Sequence, residues 1–316
     1  MNIFVAGHNG MVGSAIIRKL KANSNDNIIT ASRDDLNLLD QLQVNDFFKS
    51  NKIDQVYLAA AKVGGIHSNN KYRADFIYEN LTIQNNIISS AHKFDINKIL
   101  FLGSSCIYPK FADQPIKESS LLSGRLEYTN EPYAIAKIAG IKLCESFYKQ
   151  YNRDYRAIMP TNLYGPNDNF HGENSHVIPA LIKKFYSAKK NNSKEVEIWG
   201  SGNPKREFLH VDDMAEASIF LMNKAIEDIE SHYTKDVYHF NVGTGEDIKI
   251  KDLAQIIKTI MGYEGELKFN TQMPDGTPRK LLDVSKLKKI GWESKVTLYD
   301  GLKDTIEWYD QNNNVK

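Results

Sequence analysis

Apolar residues in the first half of the chain alternate between short continuous runs and longer stretches with a helical period. The runs predict strands at Asn2–Ala6, Asn27–Ala31, Gln55–Ala59, Lys98–Gly103 and Arg156–Pro160. The longer stretches predict helices at Met11–Lys21, Gln41–Ser50, Tyr72–His92 and Pro132–Tyr151. Neighbouring parallel strands need a crossover, and a helix is the usual one. This order predicts an α/β fold with a Rossmann-type, doubly wound parallel sheet, in which ligands bind at the carboxyl ends of the strands.

After Pro166, predicted strands and helices no longer alternate regularly. A short strand is predicted at Glu195–Trp199 and an amphipathic helix at Asp252–Met261. Proline and glycine make Lys268–Lys280 an expected ordered loop, since both residues interrupt regular elements. The apolar run Val237–Val242 is expected to return to the main sheet as a further strand.

A chain of 316 residues is long enough for two domains. We expect a cofactor-binding Rossmann domain over 1–166 plus about 207–248. A smaller α/β domain that binds the substrate is expected over about 167–206 plus 249–316.

Composition narrows the classes of function. Hydrophobic residues make up 41% and charged residues 25%, and the formal net charge is +1. This balance favours a soluble globular protein and argues against a nucleic-acid partner bound by phosphate neutralisation. No apolar run is long enough to span a membrane, and the first run is too short for a signal peptide. The two cysteines, Cys106 and Cys144, form neither a disulfide framework nor a metal site, so we expect a cytoplasmic protein without a metal.

Three glycines follow the first strand at the spacing GxxGxxG, as Gly7, Gly10 and Gly13. Glycines at this place let the chain turn tightly and let its backbone approach a pyrophosphate at the N-terminus of the next helix. The alternative is a tight turn without a ligand. The position between a strand and a helix favours a dinucleotide site.

The residues after the second strand bear on which nicotinamide cofactor binds. An acidic residue at this place usually holds the ribose hydroxyls of NAD, whereas this chain has Arg33. A guanidinium can form two hydrogen bonds to a 2′-phosphate, which favours NADP(H). An ordinary surface role for Arg33 stays open. Asp40 is a candidate acceptor for the adenine amino group.

Ser104 follows the fourth strand, and Tyr133 and Lys137 lie four residues apart on the next helix. Residues at this spacing share one helix face. A phenol has a pKa of about 10, and a nearby ammonium lowers it toward the working range. Lys137 can also hold the nicotinamide ribose, and Ser104 can stabilise charge on a carbonyl oxygen. Asn130 or Thr129 is expected to cap this helix.

The chain resembles the GDP-L-fucose synthases of the extended short-chain dehydrogenase/reductase superfamily. The resemblance spans nearly the whole chain and includes the GSSCIYP string from Gly103, the PDGTPRK string from Pro274, and these further segments: Gly7–Gly13, Ala59–Ile66, Tyr133–Lys137, Pro160–Pro166, His176–Leu181, Trp199–Gly202 and Arg206–Phe208. It implies an NADPH-dependent enzyme that inverts C3 and C5 of GDP-4-keto-6-deoxy-D-mannose and then reduces C4.

The resemblance assigns the epimerisation to Cys106 and His176. A 4-keto group acidifies the protons at C3 and C5, and inversion needs a base on one face and an acid on the other. Cys106 as thiolate is expected to take the proton, and His176 to return one from the opposite side. Without the resemblance, Cys106 would be a small buried side chain and His176 a cap or a surface residue.

The resemblance also implies two sets of contacts. The cofactor contacts include the three glycines, Arg33, Asp40 and Lys137. The further cofactor contacts are Met11, Val12, Ala59, Ala60, Leu102, Gly103, Pro160, Asn162 and Leu163. The substrate contacts are Ser105, His176, Lys184, Trp199, Arg206, Asp275 and Lys280. Among these, Arg206 and Lys280 suit a diphosphate, Trp199 a sugar or base, and Asp275 a sugar hydroxyl. Lys184 has the alternative of an ordinary solvated helix face.

One residue departs from the pattern. The related enzymes often carry Arg where this chain has Asn9, so a preference for NADPH over NADH rests mainly on Arg33. The resemblance further implies a homodimer, in which the Tyr72–His92 and Pro132–Tyr151 helices pair across a two-fold axis; packing within the monomer is the alternative.

Three other functions stay open from the sequence. The same chemistry is possible on a GDP-4-keto-6-deoxy-heptose or a GDP-4-keto-3,6-dideoxy-hexose. A mannose 4,6-dehydratase is less compatible, since it needs an acidic pair where this chain has Ser104-Ser105-Cys106. A non-catalytic NADP-binding sensor or scaffold is the alternative from another class.

Overall fold

The computed structural model describes residues 1–170, 175–235, 237–273 and 275–313. Its strands are β1 (Asn2–Ala6), β2 (Asn27–Ile29), β3 (Gln55–Leu58), β4 (Lys98–Leu102), β5 (Asp154–Pro160), β6 (Asn162–Tyr164), β7 (Glu195–Trp199), β8 (Lys205–Arg206), β9 (Phe208–His210), β10 (His239–Val242), β11 (Ile248–Lys249), β12 (Glu266–Asn270) and β13 (Arg279–Lys280). Its α-helices are α1 (Met11–Asn23), α2 (Gln41–Ser50), α3 (Ile66–Lys71), α4 (Arg73–Lys93), α5 (Glu131–Tyr151), α6 (Val177–Lys190), α7 (Val211–Asn223), α8 (Ile226–Glu230), α9 (Ile250–Ile260), α10 (Ser285–Lys289) and α11 (Leu298–Asn313). Single 3₁₀ turns lie at Ser105–Ile107 and Glu118–Ser120.

The central sheet confirms the predicted fold class. Six parallel strands lie in the order β10-β5-β4-β3-β1-β2. Strand β2 pairs with one side of β1 and β3 with the other. The chain therefore passes from β2, on one side of β1, to β3 on the other side. This reversal in strand order opens a crevice at the carboxyl ends of β1 and β3.

Helices cover both faces of this sheet. Helices α2, α4 and α5 pack on one face, with Val44, Ile87 and Ile141 among the buried residues. Helices α1 and α7 pack on the other, with Ile16 and Met214 fully buried. Burial on both faces explains why the strands read as continuous apolar runs.

A separate apolar cluster lies among α6, α9, α11 and β7. It includes Phe185 of α6, Leu253 of α9 and Leu302 of α11, none of which is exposed. The division into two domains, their bounds and the substrate-binding role of the smaller one stay a prediction.

The structure corrects several predicted bounds. Strands β2, β3 and β4 end one or two residues before the predicted ends. Helix α4 agrees with the predicted helix Tyr72–His92 to within one residue, and the short helix α3 before it was not predicted. The segment Lys268–Lys280 is not wholly a loop, because residues 268–270 belong to β12 and Arg279–Lys280 forms β13. These short strands depend on pairing with β7 and β8, which lie more than 70 residues earlier in the chain. Strand β10 joins the main sheet beside β5, as expected for Val237–Val242.

Helix α5 begins differently from the expectation. Asn130 occupies the N-cap position without a capping hydrogen bond from its side chain. The Glu127 carboxylate accepts instead from the backbone N–H of Thr129 at 3.0 Å and of Asn130 at 3.2 Å. A carboxylate also suits the positive end of the helix dipole, so Glu127 supplies the stabilisation expected from a cap.

Among the helices in the described ranges, none is both long enough and apolar enough to cross a bilayer.

Candidate active site at the carboxyl edge of the sheet

The glycine loop lies in the crevice between β1 and β3. Gly7 has φ +86°, and a Cβ there would lie 2.7 Å from the backbone nitrogen of Ala60. A Cβ on Gly13 would overlap the carbonyl oxygen of Gly7. Only glycine allows the end of β1, the loop after β3 and the start of α1 to pack backbone against backbone.

This packing leaves the N-terminus of α1 suited to an anion. Gly10 is the N-cap and provides no side chain to accept from the first N–H groups of the helix. The nitrogen of Gly10 donates to the carbonyl of Gly7 at 3.0 Å, which fixes the turn. Free N–H groups and the helix dipole together favour a phosphate, so the loop fits the expected pyrophosphate of a dinucleotide.

The other expected cofactor residues lie around the same edge. They are first-turn residues of α1, residues at the ends of β3, β4 and β5, and the first two residues of β6, namely Met11, Val12, Ala59, Ala60, Leu102, Gly103, Pro160, Asn162 and Leu163. The nitrogen of Gly103 donates to the carbonyl of Ile158 at 2.8 Å, so the ends of β4 and β5 are held together. Their contacts with a cofactor stay a prediction.

Arg33 and Asp40 follow β2. Arg33 is exposed, as a residue that meets a 2′-phosphate at the protein surface needs to be. Asp40 is the N-cap of α2, and its Oδ1 accepts from the backbone N–H groups of Leu42 at 2.9 Å and Gln43 at 3.1 Å. This capping role was not predicted from the sequence, and the contact of Asp40 with adenine stays a prediction.

Ser104, Cys106, Tyr133 and Lys137 come together at the end of β4. The Ser104 hydroxyl accepts from the backbone N–H of Cys106 at 3.4 Å and is hydrogen-bonded to the Tyr133 phenol. Lys137 is 3% exposed and donates to the carbonyl of Leu102 at 2.8 Å. Its ammonium lies 5.7 Å from the centre of the Tyr133 ring. The structure thus brings the four residues together as the sequence predicts.

The protonation of Tyr133 differs from the expectation. Burial raises the pKa of Tyr133, and the neighbouring Cys106 acts in the same direction, whereas the hydrogen bond from Ser104 lowers it. The expected lowering by Lys137 is therefore wrong for this structure: desolvation dominates, and the ammonium is directed to the Leu102 carbonyl. Burial also lowers the pKa of Lys137 to about 8.

Lys280 acts electrostatically on both Cys106 and His176. Burial raises the pKa of the Cys106 thiol, while Lys280, the Ser104 hydroxyl and Lys137 act against this rise. Desolvation by the surrounding segments lowers the pKa of His176 and Lys280 lowers it further, although the side chain itself is exposed to solvent. His176 is the N-cap of α6 but makes no capping hydrogen bond, so its imidazole is not committed to the helix.

The two expected diphosphate cations lie on paired strands. Lys280 of β13 is in register with Arg206 of β8. Burial lowers the pKa of both, and each lies near an acid, Glu127 for Lys280 and Asp275 for Arg206. Two partly desolvated cations side by side form a site suited to a diphosphate.

Asp275 has a contact that the sequence did not reveal. Its carboxylate accepts from the Ser201 backbone N–H at 2.6 Å and from the Ser201 hydroxyl at 2.7 Å. These bonds join the turn after β7 to the segment that leads into β13. The expected contact of Asp275 with a sugar hydroxyl stays a prediction beside this structural one.

Lys184 and Trp199 form a pair on the smaller unit. The Lys184 ammonium donates to the carbonyl of Glu197 at 2.9 Å and lies 4.9 Å from the centre of the Trp199 ring. Trp199 is 51% exposed, which leaves a ring face accessible to a base or sugar. Lys184 therefore belongs to the surface around Trp199 and not to a solvated helix face.

Three residues of this region were missed in the sequence. Phe76 packs edge-on against Tyr133, with the ring centres 6.1 Å apart. Asn80 accepts from the backbone N–H of Lys62 and donates to its carbonyl, both at 3.1 Å. Glu207 is fully buried. Glu207 follows two other charged residues, Lys205 and Arg206, so no local pattern signalled its burial, and none signalled the contacts of Phe76 and Asn80.

Comparisons with known proteins show the family of this chain. The model of the NAD dependent epimerase/dehydratase family matches residues 3–243. The chain is 59% identical over 310 residues to GDP-L-fucose synthase of Escherichia coli (strain K12), a match that covers 98% of this chain and 97% of the relative. It is 38% identical over 316 residues to GDP-L-colitose synthase of Yersinia pseudotuberculosis, covering 99% and 100%.

A solved structure is similar over the same extent. GDP-mannoheptose C4 reductase from Campylobacter jejuni, solved with NADP bound, superposes with a TM-score of 0.88 at 37% identity and covers 98% of each chain. The family model and the relatives each match well over half of the sequence. The chain therefore belongs to the NAD dependent epimerase/dehydratase family.

Proposed function

We propose that this protein is an NADPH-dependent enzyme that converts GDP-4-keto-6-deoxy-D-mannose to GDP-L-fucose by inverting C3 and C5 and reducing C4. The observation that carries the proposal is the Cys106 thiol beside Ser104, Tyr133 and Lys137 at the end of β4. A reductase needs the last three residues, whereas the thiol adds a group that can move a carbon-bound proton. The 59% identity to a GDP-L-fucose synthase supports the choice of substrate.

Epimerisation uses the acidity that the 4-keto group gives to C3 and C5. Cys106 as thiolate takes the proton from one face, and the electron pair moves onto the C4 oxygen to form an enolate. His176 as imidazolium returns a proton from the opposite face, which restores the ketone with inverted configuration. Ser104 and Tyr133 donate hydrogen bonds to the enolate oxygen, where the negative charge develops.

The charges around Cys106 and His176 affect which of these two groups holds the proton. At neutral pH, the raised pKa of Cys106 and the lowered pKa of His176 keep both groups neutral. The reaction needs the proton moved from the thiol to the imidazole, which leaves the total charge unchanged. Lys280 and Lys137 both favour the thiolate, so they lower the free energy needed to deprotonate Cys106.

Reduction reuses the same oxygen site. When bound, NADPH supplies the hydride that reduces C4. Tyr133 donates its phenolic proton to the developing alkoxide, and its raised pKa keeps that proton available. In this proposal, Ser104 holds the oxygen, and Lys137 binds the ribose of the cofactor and returns a proton to Tyr133. One set of donors therefore serves two inversions and one reduction.

A related GDP-sugar is the second candidate substrate. Relatives named as a GDP-L-colitose synthase and a GDP-mannoheptose C4 reductase are 38% and 37% identical to this chain. The sugars in these two names are colitose and mannoheptose, which supports a related GDP-sugar as the alternative substrate. The higher identity to a GDP-L-fucose synthase favours the 6-deoxy-hexose.

The substrate is tested by NADPH oxidation with three sugars, each as its GDP-4-keto form: the 6-deoxy-mannose, the 3,6-dideoxy-hexose and the 6-deoxy-heptose. We expect the highest kcat/KM with GDP-4-keto-6-deoxy-D-mannose, since a misplaced methylene or hydroxyl changes the rate by about 10–200-fold. A higher value for either other sugar would assign that substrate instead. Tight NADPH binding without turnover of any of them would indicate a sensor.

The division of labour predicts different products from two variants. Cys106→Ser should still oxidise NADPH, but its product should keep the parent configuration at C3 and C5. Tyr133→Phe should lower the rate of NADPH oxidation by about 10²–10⁴-fold, because the proton donor is lost. Product NMR separates the outcomes. Cys144→Ser, in the buried core, is the matched control and should keep both activities. Equal loss of inversion and reduction in Cys106→Ser would contradict the assignment.

Arg33 is predicted to set the preference for NADP. Arg33→Ala should raise the Kd for NADP⁺ by about 10–100-fold, since charge-assisted hydrogen bonds to the 2′-phosphate are lost. The Kd for NAD⁺ should hardly change. Lys52→Ala removes an exposed cation from the opposite edge of the sheet and serves as the control. Both affinities are measured by fluorescence titration; equal weakening of the two would assign Arg33 a structural role.

The proposal includes a homodimer in the cytoplasm. The free thiols Cys106 and Cys144 suit a reducing compartment. Exposed apolar residues on the two long helices, Tyr78 at 67% on α4 and Ile135 at 42% on α5, support pairing of α4 and α5 across a two-fold axis.

Light scattering on a sizing column tests this pairing. The wild type should have twice the 36.0 kDa mass of the chain. The double variant Tyr78→Glu/Ile135→Glu should have the monomer mass, because the interface would bury two unpaired charges. Leu42→Glu, on the exposed side of α2, is the matched control and should stay dimeric. A wild type of monomer mass would exclude the dimer.

A further inference from the structure

Glu207 is a fully buried acid between β8 and β9. Its Oε1 accepts from the backbone N–H of Gly245 at 2.8 Å, and its Oε2 accepts from the backbone N–H of Leu282 at 2.9 Å. A buried carboxylate is costly unless hydrogen bonds satisfy it. Here, each oxygen is used by a different segment of the chain, so the side chain joins those segments.

The backbone of Glu207 extends the same connections. Its N–H donates to the carbonyl of Lys280 at 3.3 Å. Its carbonyl accepts from the Asn162 amide at 2.8 Å and from the Thr161 hydroxyl at 3.3 Å. One residue therefore contacts the end of β5, the loop after β10 and the strand that carries Lys280.

Space for the carboxylate is provided by a glycine. A Cβ on Gly243 would overlap the Glu207 Oε1. On its other side, the segment after Lys280 is held by Gln114, whose Oε1 accepts from the backbone N–H of Leu281 at 2.8 Å. Two side chains therefore hold the segment 280–282. Gln114 holds it on one side, and Glu207 connects it to the main sheet.

Two cations of the candidate diphosphate site lie close to Glu207 along the backbone. Arg206 directly precedes Glu207, and Lys280 is the register partner of Arg206. Lys280 in turn acts electrostatically on Cys106 and His176. The distance between the two cations, and the distance of Lys280 from the reacting groups, therefore depend on the Glu207 connections.

We propose that Glu207 is a positioning residue that fixes Lys280 relative to Arg206 and to the end of β5, so that the two cations are spaced for the diphosphate of the nucleotide sugar. This inference rests on the proposed function, since it takes Arg206 and Lys280 as the diphosphate site. Glu207 itself does not touch the substrate. Its Oε2 holds the backbone N–H of Leu282, two residues after Lys280, while its Oε1 ties that segment to Gly245 in the loop after β10.

The variant Glu207→Gln tests this role with little change in size. A glutamine offers one acceptor oxygen, so the N–H of Gly245 or of Leu282 faces an NH₂ group and is left unsatisfied. We expect the Kd for GDP to rise about tenfold, with a similar rise in KM for the nucleotide sugar. The Kd for NADPH should change by less than about twofold, because the glycine loop is not touched.

A double-mutant cycle separates positioning from a general loss of stability. If Glu207 acts through Lys280, Glu207→Gln should have less than about a twofold effect on GDP affinity when Lys280→Ala is already present. If the two losses multiply instead, the positioning role is overturned. Calorimetry with GDP on the NADPH-saturated protein measures all four members of the cycle.

Asp213→Asn is the matched control. Asp213 is also a buried acid, 2% exposed, and its Oδ2 accepts from the backbone N–H groups of Lys295 at 3.0 Å and Val296 at 2.9 Å. This variant should lower the melting temperature and leave GDP affinity unchanged. An equal loss of GDP affinity in Asp213→Asn would make the effect of Glu207→Gln one of stability alone.

The variants distinguish failure of the proposed diphosphate site from failure of the positioning role. If Lys280→Ala alone leaves GDP affinity unchanged, the assignment of the diphosphate site fails, and the inference fails with it. If Lys280→Ala weakens GDP binding but Glu207→Gln does not, only the inference fails. Should Glu207→Gln not fold, Glu207→Asp keeps the charge but shortens its reach, and the same cycle applies with the same expected direction.

Discussion

The hydrogen bond from the Lys137 ammonium to the Leu102 carbonyl fixes the arrangement on which the site depends. It has a length of 2.8 Å and is almost wholly shielded from solvent. The bond ties α5 to the last residue of β4. Because Tyr133 lies one helical turn before Lys137, and Ser104 lies two residues after Leu102, the same bond places the phenol beside the hydroxyl. Cys106 then lies next to both through the 3₁₀ turn that Ser104 caps.

Burial sets the electrostatics of this arrangement. It raises the pKa of Tyr133 and Cys106 and lowers the pKa of Lys137 and Lys280. All four groups are thereby moved toward their neutral forms, and the charges that catalysis requires appear only as protons move among them. Such a site is suited to a reaction in which negative charge on one oxygen forms and disappears repeatedly.

Local patterns in the sequence were sufficient for the strands, the glycine loop and the set of Ser104, Tyr133 and Lys137. Continuous apolar runs and fixed spacings encode these features within a few residues of each other. The exceptions depend on partners far along the chain. β13 forms only where β8 lies beside it, and Asp275 bonds to Ser201, 74 residues earlier. The direction of the Tyr133 pKa shift likewise follows from burial, which spacing along a helix does not reveal.

The central claim is that one oxygen site serves both inversion and reduction. It is tested most directly by NMR of the product formed from GDP-4-keto-6-deoxy-D-mannose and NADPH in D₂O. The account predicts GDP-L-fucose with deuterium at C3 and C5 and with the hydride-derived hydrogen at C4. A reduced product that carries no deuterium at C3 or C5 and keeps the parent configuration would contradict it.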